Sequence, residues 1–219
     1  MQHNNIANSI LSWYYQHKRD LPFRGTGDPY KIWLSEIMLQ QTRVCTVIPY
    51  YKKWIKNYPN IQSVAKADIQ SLLKLWEGLG YYNRCINFHN SAKIVLTKFN
   101  GEIPKNWENF SSLPGVGEYT ASAVLSIAFD RPYAAVDGNV KRVFSRLLAI
   151  KNITNHNLKR IKNTLESLII FNSPGDFNQG VMDLGALICM PKNPNCKVCP
   201  LKKHCKAFSS KNPVVYPSK

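Results

Sequence analysis

Acidic residues are scarce in this sequence. Asp and Glu together number 13 against 29 Lys and Arg, which gives the 219-residue chain a formal net charge of +16. An excess of this size attracts polyanions and speeds their capture, although it says nothing about the fold. We therefore expect a nucleic acid as the partner, with a merely soluble basic protein as the alternative.

Long apolar runs are also missing. AVLSIAF is among the longest, far short of the roughly 20 residues that a membrane-spanning helix needs. The N-terminus, MQHNNIANSILSWYYQHKRD, lacks the basic region followed by an apolar stretch that marks a secretory signal. We expect an intracellular protein with no membrane partner, cytoplasmic and, in a bacterium, associated with the nucleoid.

Strand alternation is nearly absent, whereas helix signals recur. Asp28 before Pro29 is typical of an N-cap followed by proline at the first helical position. No Ser/Gly-rich linker or repeat divides the chain. The pattern predicts an all-α domain of about ten helices, among them YKIWLSEIMLQQ, ADIQSLLKLWEGLG, NRCINFHNSAKIVLTKF and the ranges 44–56, 118–129, 140–149, 155–171 and 177–188.

Four of the six cysteines are crowded near the C-terminus, in the spacing C-x6-C-x2-C-x5-C. Structural zinc normally uses two short pairs far apart in sequence, whereas one compact loop with a proline after a cysteine suits a [4Fe–4S] cluster. We expect a cluster, with zinc as the alternative, and we expect Cys45 and Cys85 to be core thiols. The predicted ligands are Cys189, Cys196, Cys199 and Cys205.

The end of the chain is basic as well. After Asp183 there are seven lysines and no acidic residue. A ferredoxin with an anionic partner would also look like this, but small ferredoxins do not carry some 180 residues of helix. The cluster loop is expected to present lysines to phosphates.

The segment LPGVG, residues 113–117, lies between two predicted helices. Two glycines at i and i+2 permit positive φ and leave backbone N–H groups at the start of the next helix. Such amides, with the helix dipole, bind a phosphate oxygen without reading a base. An ordinary tight turn between helices is the alternative.

Two carboxylates are candidates for chemistry. Glu36 lies among Trp33, Leu34, Ile37 and Met38, and burial there favours its protonated form near neutral pH. A surface position, or a hydrogen bond to a nearby glutamine, is the alternative. Asp137 precedes a predicted helix and by propensity is its N-cap.

The hairpin, the aspartate after it and the cysteine loop together resemble the helix-hairpin-helix DNA glycosylases of the endonuclease III superfamily. Within it, WLSEIMLQQTRV, WEGLGYYNRCINFH, LPGVGEYTA, AVDGNVKRV and the cysteine spacing resemble the adenine glycosylases of the MutY family, over nearly the whole chain. The resemblance implies one monomeric catalytic unit, 1–219, with a two-lobed fold. A six-helix-barrel lobe would cover 25–135, with the hairpin at 106–129, and an iron–sulfur lobe would combine 1–24 with 136–219 around the cluster loop 189–205.

By this resemblance Glu36 protonates adenine at N7 and later activates water, because neutral adenine leaves more readily than its anion. Asp137 stabilises the oxocarbenium-like sugar, by the same logic that operates in glycoside hydrolases. Bifunctional relatives have a lysine where this chain has Tyr119, and a tyrosine cannot form a Schiff base. Base removal without strand cleavage is therefore expected, with Tyr119 and Asn139 positioning the carboxylates and the water.

The resemblance also assigns binding residues. An adenine pocket is expected from Arg19, Leu21, Phe23, Arg24, Gln179 and Met182, where Phe23 replaces a frequent tryptophan. Residues expected to wedge into the duplex or hold its backbone are Gln41, Tyr81, Leu113, Gly115, Val116 and Gly117. Without the family, Gln41 would be a helix-terminal amide and Tyr81 a core tyrosine.

The implied activity is excision of adenine opposite guanine or 8-oxoguanine in double-stranded DNA. Family members continue into a C-terminal domain that recognises 8-oxoguanine, and this sequence ends near VVYPSK. We therefore expect a weaker preference for the oxidised partner. The alternatives are a thymine glycosylase acting on T:G, whose relatives tend to have basic residues at LQQT, and a non-catalytic DNA-binding protein.

Overall fold

Capping residues and turns cut the chain into short helices. The structure, a computed structural model, describes residues 2–169 and 173–218, and no strand occurs within these ranges. The predicted all-α fold is therefore confirmed. No helix in the described ranges is long and apolar enough to cross a bilayer.

Twelve α-helices and three 3-10 turns occupy the described residues. The 3-10 turns lie at Cys196–Val198, Lys202–His204 and Pro213–Val215. The α-helices are α1 (Gln2–His17), α2 (Pro29–Leu39), α3 (Val44–Asn57), α4 (Ile61–Lys66), α5 (Ile69–Trp76), α6 (Asn83–Lys98), α7 (Trp107–Ser111), α8 (Glu118–Phe129), α9 (Gly138–Leu148), α10 (Asn155–Ile169), α11 (Pro174–Leu187) and α12 (Lys206–Ser209).

Side-chain caps mark the starts of three predicted helices, α2, α5 and α9. The Asp28 side chain accepts a hydrogen bond from the Tyr30 amide at 3.0 Å, with Pro29 as the first residue of α2. The predicted helix 118–129 matches α8 at both ends. The last two residues of the predicted helix 155–171 lie outside the described residues.

Helix α1 was not among the predicted helices, although its sequence carries a signal for it. Ala7, Ile10, Leu11 and Tyr14 follow the i, i+3, i+4, i+7 spacing of an amphipathic helix. All four side chains are buried. Asn8, Ser9 and Ser12 between them lower helix propensity and obscure the pattern.

The chain forms two compact units. The middle unit comprises Asp20–Phe129 and the terminal unit comprises Met1–Arg19 with Asp130–Lys219. In the middle unit, α2 packs against α3, α6 and α8, while α4 and α5 pack against α6. Its core is aromatic. The Trp33 ring makes edge-on contacts with Phe88 and Phe110, with ring centroids 4.9 and 5.1 Å apart. This core surrounds α2.

The two isolated cysteines have different environments. Cys85 is buried in α6, as predicted, whereas Cys45 is exposed, so its prediction as a core thiol is wrong. Helix α3 buries Val47, Tyr51 and Trp54. Cys45 precedes Val47 by two residues, which on a helix places it well away from that buried stripe.

In the terminal unit, α11 packs against both α1 and α9. Two glycines of α11 permit close approach. A Cβ on Gly180 would lie 3.0 Å from the Ile10 side chain, and one on Gly185 would lie 2.6 Å from the Asn139 Cβ and 3.2 Å from its Cα. Gly185 therefore fixes the spacing between α11 and the start of α9.

We expect Gly185→Ala to lower the free energy of unfolding by about 1–3 kcal/mol, because the added methyl overpacks a contact with backbone. Urea unfolding measures this change. Gly138→Ala is the matched control, since a Cβ there meets nothing within 4 Å. Equal stability of the two variants would contradict the close-approach role of Gly185.

Candidate active site

Glu36 is buried on α2 and is bonded by a tyrosine from α8. Only 7% of Glu36 is exposed, so the alternative of a surface glutamate is wrong. Because α2 packs against α8, the Tyr119 hydroxyl reaches the Glu36 carboxylate and donates a hydrogen bond to Oε2 at 2.8 Å. The amide of Gln40 donates to the Thr120 hydroxyl at 3.1 Å. The middle unit thus holds a desolvated carboxyl group with a hydroxyl donor beside it.

The LPGVG segment forms the turn between α7 and α8. Gly115 has φ +75°, and a Cβ there would lie 2.8 Å from the Asn87 Cβ, so the turn needs glycine. Gly117 lies outside the left-handed region and has open space around it. Leu113 and Val116 are buried and anchor the turn, while both glycines are exposed. The arrangement matches a helix-hairpin-helix element that presents its backbone to solvent.

Gln41 and Tyr81 occupy two turns of the middle unit. Both have left-handed backbone conformations, with φ of 55° and 50°. Gln41 lies beyond the end of α2 and is exposed. Tyr81 is 58% exposed, so the alternative of a core tyrosine is wrong.

Asp137 caps α9. Its Oδ1 accepts from the Val140 amide at 2.7 Å, and its Oδ2 accepts from the Asn139 side chain at 2.9 Å. The N-cap predicted from propensity is therefore confirmed. The residue is half-buried and lies at the N-terminus of the helix, which is the positive end of the helix dipole.

Asn139 and Arg142 extend these hydrogen bonds to the cysteine loop. The Arg142 guanidinium donates to the Asn139 Oδ1 at 2.9 Å, to the Gly185 carbonyl at 2.7 Å and to the Cys189 carbonyl at 2.8 Å. Burial lowers the pKa of Arg142. A continuous series of hydrogen bonds thus links the side chains of Asp137, Asn139 and Arg142.

The residues predicted for an adenine pocket belong to both units. In the middle unit Leu21 and Phe23 are buried, and the Phe23 ring lies edge-on to Tyr51 at 5.5 Å. Arg24 is half-buried. In the terminal unit, Met182 is buried on α11, and the half-buried Gln179 donates to the Gly175 carbonyl at 3.2 Å.

Arg19 is held by a carboxylate that the sequence did not single out. Asp183 is fully buried, and its Oδ1 accepts from the Arg19 Nε at 2.8 Å and Nη2 at 2.6 Å. The Arg19 amide also donates to Oδ2 at 3.3 Å. Two guanidinium donors therefore converge on one carboxylate oxygen, while the backbone amide of the same residue bonds to the other, and these charge-assisted bonds hold Arg19 in position.

The four C-terminal cysteines line one small cavity in the terminal unit, together with Ile188, Pro194, Phe208 and Arg146. None of the four forms a disulfide, and burial raises the pKa of Cys199 to about 12. The Arg146 Nη1 donates to the Cys189 Sγ at 3.3 Å. Within the described residues no group of three or more His, Cys, Asp or Glu is already arranged around a metal position. The donor set, four thiols with a neighbouring cation, fits an anionic iron–sulfur cluster.

The structure reveals three further polar residues that sequence reasoning missed. Asp183, Arg84 and Arg146 are each at least nine-tenths buried. A charged residue within an apolar helix segment is the signal that identifies Asp183. The two arginines bond mainly to backbone carbonyls, and a carbonyl has no signature in the sequence.

Comparisons with known proteins show the family and the fold of the chain. A family model described as "HhH-GPD superfamily base excision DNA repair protein" matches residues 34–169. An adenine DNA glycosylase of Buchnera aphidicola subsp. Baizongia pistaciae is 46% identical over 91% of this chain and 57% of its own length. The chain thus spans little more than half of that relative.

Solved structures share the fold. A thermostable thymine-DNA glycosylase aligns with a TM-score of 0.86 and 32% identity, covering 95% of this chain and 97% of its own. Endonuclease III in a trapped covalent complex with DNA aligns with a TM-score of 0.77 and 23% identity, and the alignment covers 94% of each chain.

The all-helical fold with its glycine hairpin is that of the endonuclease III class. The chain belongs to the HhH-GPD superfamily of base excision DNA repair proteins.

We expect Asp183→Asn to lower the free energy of unfolding by about 2 kcal/mol. This loss is smaller than the loss expected when a fully buried ion pair is broken, because Arg19 keeps some access to water. Chemical unfolding at neutral pH measures it. Glu166→Gln removes one partner of the exposed pair with Lys162, 3.8 Å apart, and should change stability by less than about 0.5 kcal/mol. Similar losses in both variants would contradict a special role for Asp183.

Proposed function

We propose that this chain is a monofunctional DNA glycosylase that removes adenine mispaired with guanine or 8-oxoguanine in double-stranded DNA. The observation that carries the proposal is the buried Glu36 carboxyl, which accepts a hydrogen bond from Tyr119 in a chain of the base excision superfamily. A desolvated carboxyl is suited to proton donation near neutral pH. The net charge of +16 suits DNA as the partner.

In this proposal Glu36 delivers a proton to N7 of adenine as the glycosidic bond breaks, and it later takes a proton from the attacking water. The Tyr119 hydroxyl holds the carboxyl group in one orientation through Oε2. Asp137 stabilises the positive charge that develops on the sugar, and Asn139 orients the Asp137 carboxylate through Oδ2. The exposed turns carrying Gln41 and Tyr81 enter the duplex when the adenine is flipped out.

A thymine glycosylase acting on T:G is the second candidate. Its support is the alignment with the thymine-DNA glycosylase at 32% identity over 97% of that protein. The higher identity of 46% to an adenine DNA glycosylase favours adenine. A non-catalytic clamp is the third candidate, and the burial of Glu36 against a hydroxyl donor speaks against it.

The test is cleavage of end-labelled duplexes that carry A:G, A:8-oxoG or T:G, with and without hot alkali. We expect strand breaks at adenine only, and only after alkali, because Tyr119 offers no amine to form a Schiff base. Breaks at T:G would favour the thymine glycosylase, and breaks without alkali would contradict the monofunctional assignment. No breaks in any duplex would favour the clamp.

Two variants serve as controls for this assay. Glu36→Gln should slow excision about a thousandfold or more while it still binds the duplex, since only the transferable proton is lost. Asp137→Asn keeps the side-chain oxygen that caps α9. Slow excision by this variant at an unchanged melting temperature would support the role in chemistry, whereas a lower melting temperature with normal excision would leave only the cap.

The four cysteines of the C-terminal loop hold a [4Fe–4S] cluster in this proposal. The cluster would cross-link residues 189–205 and so hold the exposed lysines of that loop in place for phosphates. The support is that Cys189, Cys196, Cys199 and Cys205 line one cavity beside the Arg146 guanidinium. Zinc is the alternative.

We expect protein purified without oxygen to be brown and to contain about four iron and four sulfide per chain. Metal and sulfide analysis measures both. Cys199→Ala should lose the iron, whereas Cys45→Ala, at an exposed cysteine outside the loop, should retain it. A colourless protein containing zinc would contradict the cluster.

A further inference from the structure

Two exposed turns of the middle unit share an unusual backbone feature. Gln41 and Tyr81 both have positive φ, at 55° and 50°. Left-handed conformations are unfavourable for residues with a Cβ, and they persist only where neighbouring contacts hold them. Neither residue is glycine, asparagine or aspartate, which adopt this conformation more readily. Something else in the middle unit must hold both turns.

Arg84 supplies those contacts. It lies on the first turn of α6 and is 8% exposed. Its Nη1 donates to the carbonyls of Ile37 and Met38 at 3.0 and 2.8 Å, and to that of Gln40 at 2.6 Å. These carbonyls end α2 immediately before Gln41.

Another edge of the guanidinium bonds to the second turn. Nη2 donates to the carbonyls of Leu79 and Gly80 at 3.3 and 3.0 Å, and Nε donates to that of Tyr81 at 3.4 Å. Nη2 also reaches the Thr42 hydroxyl at 3.2 Å. One side chain therefore bonds to the residues on both sides of Gln41 and to those leading into and including Tyr81.

The guanidinium also orients an aromatic ring. Its central carbon lies 5.2 Å from the centroid of the Tyr81 ring and 5.4 Å from that of Trp76. Both distances are within the range of a cation–π contact. The Tyr81 ring, although 58% exposed, thus has a buried cation beside it.

Only arginine among the cationic side chains can make this set of contacts. The guanidinium has five N–H donors in a rigid plane, whereas the lysine ammonium is a compact charge with three. The carbonyls at the end of α2 carry the negative end of the helix dipole, which suits a cation. Replacement of Arg84 would release both turns together.

We propose that Arg84 is a positioning residue that holds Gln41 and Tyr81, as one preformed wedge, in the conformation that enters the duplex during base flipping. The inference rests on the proposed function for the role of the two turns. The bonds to Ile37 and Met38 also fasten this wedge to the helix that carries Glu36, next to Ile37 in sequence.

The test is base flipping by the Glu36→Gln protein, which binds without excising. The probe is a duplex with 2-aminopurine opposite guanine, whose fluorescence rises when the base leaves the stack. With saturating protein we expect Arg84→Met to lower the flipped-to-stacked ratio roughly tenfold, because several hydrogen bonds to a charged group are lost. Lys93→Met, which removes an exposed cation from the same helix, should leave the ratio unchanged.

A double-mutant cycle separates positioning from general destabilisation. If Arg84 acts through Tyr81, Arg84→Met should add little to the loss caused by Tyr81→Ala, whereas independent effects would add. Additive losses, or an unchanged ratio in folded Arg84→Met, would overturn the inference. Where Arg84→Met fails to fold, Arg84→Lys replaces it, and we expect a smaller loss that is again not additive with Tyr81→Ala. An unchanged ratio in folded Arg84→Lys would overturn the inference in that case.

Failure of the wedge inference can be distinguished from failure of the proposed function. If the wild-type protein leaves every duplex intact after alkali, but the Glu36→Gln protein flips the base in an Arg84-dependent manner, adenine excision is wrong and the wedge inference stands. If the Glu36→Gln protein binds the duplex without any rise in fluorescence, the wedge inference is wrong.

Discussion

The burial of α2 is the constraint on which the middle unit depends. This helix packs against α3, α6 and α8. Eight of its residues are buried, and Glu36 is one of them. A buried carboxyl is costly unless hydrogen bonds compensate it. The Tyr119 hydroxyl provides one because α8 packs directly on α2. The contacts that form the core therefore also determine which group stands beside the proposed general acid.

The terminal unit has a comparable constraint at Gly185. Because α11 approaches the start of α9 so closely there, the Asn139 side chain extends between Asp137 on one side and Arg142 on the other. Arg142 in turn donates to the carbonyl of Cys189. The cap of α9 and the first cysteine of the loop consequently belong to one set of hydrogen bonds, within a single unit of the protein.

Much of this organisation could be predicted from the sequence, and the failures have physical reasons. Caps and proline fixed the start of α2, and a wholly apolar neighbourhood indicated the burial of Glu36. Cys45 was misplaced because helical periodicity alone did not show which side of α3 faces the core. Arg84 was missed because its partners are backbone carbonyls of two turns that the fold brings together. Every residue type has a backbone carbonyl, so these partners cannot be recognised in the sequence. The catalytic and binding roles remain predictions drawn from resemblance.

Scarcity of acidic residues shapes the interior as well as the surface. Arg84 and Arg146 are buried, yet the acceptors described for them are backbone carbonyls, apart from one hydroxyl and one thiol. Helix ends and turns provide such carbonyls without adding negative charge. A chain that satisfies buried cations in this way keeps its net charge of +16. Asp183, the fully buried carboxylate paired with Arg19, is then the exception. It holds the side chain and the backbone amide of an arginine that the family resemblance assigns to the adenine pocket.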